Sequence, residues 1–120
     1  MKTGNKKGDR MKERPPAALM VFITTADEKE AEKIAERLLA ERLAACVNIL
    51  GGVRSRYWWE GKLEESGETL LIAKTTPACL DGLTAAVKAV HSYQVPEIIA
   101  VPIVGGSADY LKWIADEVKK

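Results

Sequence analysis

Two β-rich segments flank Glu60-Gly61-Lys62, with Val53 to Trp59 leading in and Leu63 to Thr76 leading away, and no other feature of the chain narrows the fold as much. The turn residues and the β-formers Tyr57, Trp58 and Trp59 predict a long hairpin. Adjacent tryptophans on a strand point to opposite faces. A chain of 120 residues, 47% hydrophobic and 29% charged, makes one small globular domain whose modest core cannot shelter both indoles. A partner surface, most economically another copy of the chain, is expected to cover what one polypeptide leaves open.

The remaining elements follow from periodicity. Leu19 to Ile23 is a short apolar run that suits a central strand covered by helices on at least one face. Asp27 with Glu30 three residues on resembles a capping box, and Ala31, Ile34, Ala35, Leu38 and Leu39 have the spacing of an amphipathic helix. Ala45 to Leu50 predicts a second strand, with Gly51-Gly52 marking a bulge or bend before the aromatic arm. Thr76-Pro77 predicts a helix start, the hydroxyl capping and the proline at the first turn, with Leu80, Leu83, Thr84, Val87 and Val90 as the buried stripe. That helix is expected to end near His91. Glu97 to Val104 predicts a strand that Pro102 confines to an edge or a bulge. Ser107 then caps a last helix whose apolar face is Leu111, Ile114, Ala115 and Val118. The order βαββαβα predicts an α+β, ferredoxin-like sandwich, two βαβ units joined by a hairpin, with an extra C-terminal helix.

Charge and cysteine usage exclude several classes. Residues 1–14 hold six Lys or Arg against Asp9 and Glu13, so the formal +1 splits into +4 there and −3 over the rest. A mildly acidic domain offers no electrostatic drive toward nucleic acid. RNA-recognition domains share this topology but stack bases on aromatic residues of the central strands, where this chain has Leu70-Leu71-Ile72-Ala73. No stretch is long enough to span a bilayer, so no membrane partner is expected. Residues 1–16 read as a disordered basic tail, with Met11 or Met20 as alternative starts, ahead of a single domain over 17–120. Cys46 and Cys79 show no metal or redox spacing, which favours the reducing cytoplasm.

The densest chemistry lies between the second helix and the last strand, in His91-Ser92-Tyr93-Gln94-Val95-Pro96-Glu97. Hydrogen-bonding and metal-capable side chains crowded into a joint suggest a site on a rigid scaffold. His91 has two open readings: a metal ligand, or an imidazole that complements the negative end of the helix dipole. Cys46, between Ala45 and Val47, fits a small buried hydrophobe. Lys74 interrupts an apolar strand and needs a carboxylate or anion, Glu97 being the expected partner. A Lys74, Tyr93 and Glu97 cluster would suit a small anionic metabolite or a structural ion pair. Glu64, Glu65 and Glu68 are expected to be solvated hairpin surface. With no nucleophile–base pair, phosphate-cradling glycine loop or close carboxylate pair, an enzyme is not expected.

Taken in order, Leu43-Ala44-Ala45-Cys46-Val47-Asn48-Ile49, Tyr57-Trp58-Trp59-Glu60-Gly61-Lys62, Ile72-Ala73-Lys74-Thr75-Thr76, His91 to Ile99 and Tyr110-Leu111-Lys112-Trp113-Ile114 resemble the CutA divalent-cation tolerance family from about Leu19 to Val118. The resemblance implies a homotrimer built by strand pairing around a threefold axis, similar in shape to the PII signalling proteins. It also implies tolerance to copper and other divalent cations. Carried over residue by residue, it gives His91, Cys46 and Glu97 as metal donors, and Trp59, Lys74, Tyr93, Pro96 and Trp113 as the lining of a ligand cleft between subunits. Copper-associated bacterial members are expected to carry a cysteine near the end of the first strand and a His-His pair before the Pro-Tyr step. This chain has Ile23 and Val90-His91 there, so a weakly bound divalent ion is expected.

Overall fold

In the computed structural model, which describes residues 16–120, the central strand β1 (Ala18–Thr25) is paired antiparallel on both sides. The expected basic tail over 1–16 lies outside the described residues but for Pro16. Along β1 the residues Leu19, Val21, Ile23 and Thr25 are buried while Met20, Phe22 and Thr24 are half-buried, the period-two signature of a sheet covered more fully on one face.

Asp27 caps α1 (Glu28–Ala40): its Oδ1 accepts the Glu30 N–H at 2.8 Å. Glu30 reaches back to the Ala26 N–H at 3.0 Å, a capping box displaced by one residue. Ala31, Ile34, Ala35 and Leu38 are buried against the sheet, whereas Leu39, expected with them, is 44% exposed at the rim. The helix ends in a Schellman turn, with Arg42 N–H bonded to Leu39 O at 3.1 Å and Leu43 N–H to Leu38 O at 2.8 Å. Arg42 takes the left-handed φ of 55° that glycine usually fills. Its carbonyl receives Lys119 N–H at 2.9 Å and its guanidinium donates to Glu117 O at 3.0 Å, so the chain's last turn holds it there.

The hairpin is β2 (Cys46–Trp59) and β3 (Lys62–Thr75), joined by Glu60-Gly61 with φ of 49° and 79°. Two successive positive φ values make the type I′ turn whose twist matches the strands it joins. Register shifts between Leu50 and Val53, the bulge expected at Gly51-Gly52, with Gly52 at φ 76°. A 3-10 turn at Pro77–Cys79 precedes α2 (Leu80–Val90). Here the Thr76 hydroxyl makes no cap, because the tight first turn is closed by the Thr76 carbonyl accepting Cys79 N–H at 3.0 Å. Leu83, Ala86 and Val87 are buried, while Val90, expected in the stripe, is 38% exposed. The edge strand β4 (Ile98–Ile103) carries Pro102, and Ser107 caps α3 (Ala108–Glu117), its Oγ accepting Tyr110 N–H at 3.4 Å.

The sheet order β2-β3-β1-β4 completes the ferredoxin-like α+β arrangement. Helices α1 and α2 pack on one face around Ile23, Ile34, Leu38, Leu71 and Leu83, and α3 rests against β1 and β3 with Ile114 buried. The opposite face carries Phe22, Leu70 and Ile72 half-buried, with Leu50 and Ile99 exposed. Trp58, near the hairpin tip, is 74% exposed. No helix among the described residues is long and apolar enough to cross a membrane. Leu38→Ala is expected to lower unfolding free energy by about 2–5 kcal/mol, measured by denaturant titration, because the closed helix–sheet interface cannot collapse onto the void.

Candidate functional site

The His91 N–H closes the last turn of α2 on Val87 O at 2.9 Å, and the backbone then turns extended, which aims the side chain back at β1. Its Nε2 lies 2.7 Å from Thr24 O, and its Nδ1 accepts the Tyr93 N–H at 3.0 Å. Both contacts are satisfied by the neutral tautomer with hydrogen on Nε2. Ligating a metal would therefore require one of these bonds to break.

The residues that follow are pinned just as closely. Ser92 N–H donates to Glu30 Oε2 at 2.8 Å, so one carboxylate holds both the start of α1 and the joint after α2. Burial alone would raise the Glu30 pKa, but the hydrogen bonds from Ala26 and Ser92 outweigh it, and the value falls below the usual 4.5. Tyr93 packs its ring 4.7 Å from that of His91 and donates its hydroxyl to Glu68 Oε2 at 2.7 Å. Desolvation first, and the Glu68 carboxylate second, push the Tyr93 phenol well above its usual 10, so it remains a neutral donor.

The clamped joint and the hairpin enclose a cleft of 690 Å³. Tyr57, Trp59, Glu64 and Glu68 line it from the hairpin, and Tyr93, Val95 and Glu97 from the joint. Three of the expected site residues, Trp59, Tyr93 and Glu97, thus share one cavity. Pro96 is half-buried between two residues of its wall without belonging to it. Glu68 corrects the expectation of a solvated hairpin acid, since it is only 9% exposed. The signal was present in the alternation of β3, which puts Glu68 on the face of Leu70 and Ile72.

Cys46 and Lys74 lie elsewhere. They are direct partners across β2 and β3, and Lys74 sits opposite Met20 of β1. Glu97 precedes Ile98, which is opposite Ile23, so the expected Lys74–Glu97 pair is separated by roughly 13 Å along the strand direction. Lys74 instead donates Nζ to Asn48 Oδ1, a neighbour two residues along β2 from Cys46. Tyr110 of α3 stands beside Cys46, its phenol raised by burial first and by that thiol second, and stacks obliquely on Trp113 at 5.4 Å. Cys46 is half-buried, and Cys79 is buried with its thiol 3.4 Å from Lys119 O. Among the described residues no three His, Cys, Asp or Glu side chains converge as a metal would require. The described residues of one protomer therefore offer no complete ion cage.

Residues 19–117 match the model of the family described as CutA1 divalent ion tolerance protein. The chain belongs to the CutA1 divalent ion tolerance family. The chloroplastic protein CutA 1 of Oryza sativa is 45% identical over 103 residues, 86% of this chain and 58% of that protein, so the chain spans little more than half of this plant relative. The structure of the divalent cation tolerance protein of Thermus thermophilus superposes with a TM-score of 0.84 at 45% identity, covering 85% of this chain and 99% of that one. The Archaeoglobus fulgidus structure, described as a periplasmic divalent cation tolerance protein CutA, gives 0.82 at 43% identity with coverage of 85% and 99%. The family is named for tolerance and not for a reaction.

Glu30 predicts a pH dependence. Its folded pKa lies below the unfolded one, so its contribution is complete above the unfolded value of about 4.5 and disappears as pH falls through the folded value. Thermal unfolding of Glu30→Gln is expected to be less pH-sensitive than wild type below that point, with wild type losing its advantage toward acid.

Proposed function

We propose that the protein serves divalent-cation tolerance as a cytoplasmic homotrimer that binds, or responds to, a weakly held divalent metal ion, copper being the first candidate. Family membership over residues 19–117 carries this reading. The tolerance named for the Thermus and Archaeoglobus proteins is transferred on that basis. Their relatives' compartments differ, chloroplastic in rice and periplasmic in Archaeoglobus, and the cytoplasmic assignment rests on the two free thiols of Cys46 and Cys79.

Self-association is supported by surface that one protomer leaves uncovered. Leu50, Ile99 and Val101 on the open sheet face are 43%, 53% and 39% exposed, and Trp58 stands out from the hairpin. The long edge strand β2 also presents unpaired backbone groups for pairing with another copy. In such an assembly, donors that are apart in one chain, Glu97 and His91 at one end of the sheet and Cys46 at the other, would be completed by a neighbour's. A site shared in this way, with His91 already committed to two hydrogen bonds, accounts for weak affinity.

A second reading is a PII-like sensor or interaction module that takes a small ligand in the cleft, and the 690 Å³ volume bounded by Trp59, Tyr93 and Glu97 favours it. Lys74 and Trp113 would then reach a neighbour's cleft rather than their own. Light scattering after size exclusion is expected to give about three times 13.1 kDa, and a stable lone protomer at micromolar concentration would overturn the assembly. Copper titration by calorimetry is expected to show weaker binding for His91→Ala and for Glu97→Gln than for wild type; coincident isotherms would remove both residues from the site.

A further inference from the structure

Residues 118–120 follow α3 onto the side of the sheet that α1 and α2 cover, and fasten there at two places. Val118 is 4% exposed and joins the core cluster that holds Leu38, Leu43, Cys79 and Leu83. Lys119 N–H donates to Arg42 O at 2.9 Å, just past the end of α1, and Lys119 O accepts the Cys79 thiol at 3.4 Å, at the head of α2. Arg42 reaches back, its Nη1 donating to Glu117 O at 3.0 Å and to Glu117 Oε1 at 3.2 Å. All of these contacts are made within one chain.

The anchors are firm and the segment between them is thin. Gly82 lets the first turn of α2 approach Leu43, whose Cδ2 would lie 3.1 Å from a Cβ at that position, and the buried Thr75 hydroxyl donates to Leu43 O at 2.6 Å. The ends of α1 and α2 are thereby locked to each other and to β3. Residues 118–120, by contrast, bury one side chain, since Lys119 and Lys120 are exposed. Their backbone holds through Val118 N–H on Ile114 O at a long 3.3 Å and through Lys119 N–H on Arg42 O. The thiol adds only a weak donor. A segment with so little buried apolar contact opens locally at far lower cost than the whole domain unfolds.

We propose that residues 118–120 are a strap that opens as a unit while the rest of the domain stays folded, and that this opening governs the access of soft electrophiles to Cys79. Shut, the strap leaves the thiol 3% exposed and inert. Open, it presents a cysteine at the head of α2, whose backbone is still held by the Cys79 N–H bond to Thr76 O at 3.0 Å. Cysteine reactivity follows access, so the strap decides whether this thiol takes part in the chemistry of its surroundings.

The test is the rate at which N-ethylmaleimide, whose double bond takes up the sulfur and the thiol hydrogen, modifies Cys79 in the full chain, read by peptide mass spectrometry against urea. In wild type the rate below the unfolding transition is expected to be nearly flat with urea, because an opening strap exposes little surface, and to join the steep global slope only near the transition. Lys119→Pro removes the N–H given to Arg42 O, and the extended backbone of Val118, φ −87° and ψ 159°, suits a residue before proline. It is expected to speed Cys79 modification by about fivefold or more. Arg42→Gly removes the guanidinium bonds to Glu117, while glycine takes the left-handed φ of 55° freely. That variant is expected to speed modification by about threefold or more with an unfolding midpoint equal to or above wild type, a divergence that a purely stabilising contact would not give. Should Lys119→Pro fail to fold, Arg42→Gly decides alone. A wild-type rate that follows the global slope from zero urea would overturn the strap. An unchanged rate in a folded variant, or a faster one in Arg42→Gly matched by an equal loss of stability, would overturn it too.

Discussion

The structure depends on the one-sided cover of a strand that is paired on both sides. β1 is hydrogen-bonded to β3 and β4, so its backbone is satisfied, and its odd-numbered side chains Leu19, Val21 and Ile23 are sealed beneath α1 and α2. The even-numbered side chains then face the other way with their neighbours Ile72 and Leu70, and only α3 reaches part of that side. A sheet has two faces and two edges, and this chain is long enough to cover one face. The apolar remainder is a property of the protomer that any account of its behaviour in solution must include.

The same strand organises the chemistry. The carbonyl of Thr24, near its end, receives the His91 ring, and Glu30, one helical turn beyond, receives Ser92. These bonds tie the joint after α2 to the end of β1, and Tyr93 ties it to β3 through Glu68. A loop that could have been mobile becomes a wall fastened at three points. Its imidazole, a candidate metal ligand by sequence, serves in the protomer as a two-way hydrogen-bonding strut.

Charge is distributed with equal consequence. The acids of the hairpin divide by strand alternation: Glu65 faces Arg54 and Arg56 in exposed ion pairs, which contribute little to stability, while Glu68 turns into the cleft. Residues three apart in sequence therefore belong to different environments. The Lys74 ammonium, drawn off to Asn48 at the other end of the sheet, leaves the cleft without a counter-charge from its own strand.

Local pattern determined the elements of this fold because each was written in a short-range code: alternation in β1, the Asp27 and Glu30 cap, the Glu60-Gly61 turn, the Gly51-Gly52 bulge, and Pro102 on an edge strand. The antiparallel order followed from the βαββαβα succession of those elements. Sequence brought Trp59 and Tyr93 forward for a ligand cleft and Glu97 for a metal site, and the fold places all three on one cavity. Tertiary structure alone decided which side chains meet across strands, since register sets distance along a sheet and no local signal reports it. That is why Lys74 pairs with Asn48 and lies far from Glu97, why Glu68 is buried under Tyr93, and why both nitrogens of His91 are occupied. Propensity acts within a few residues, whereas the partners of a titratable group are chosen by packing between segments dozens of residues apart.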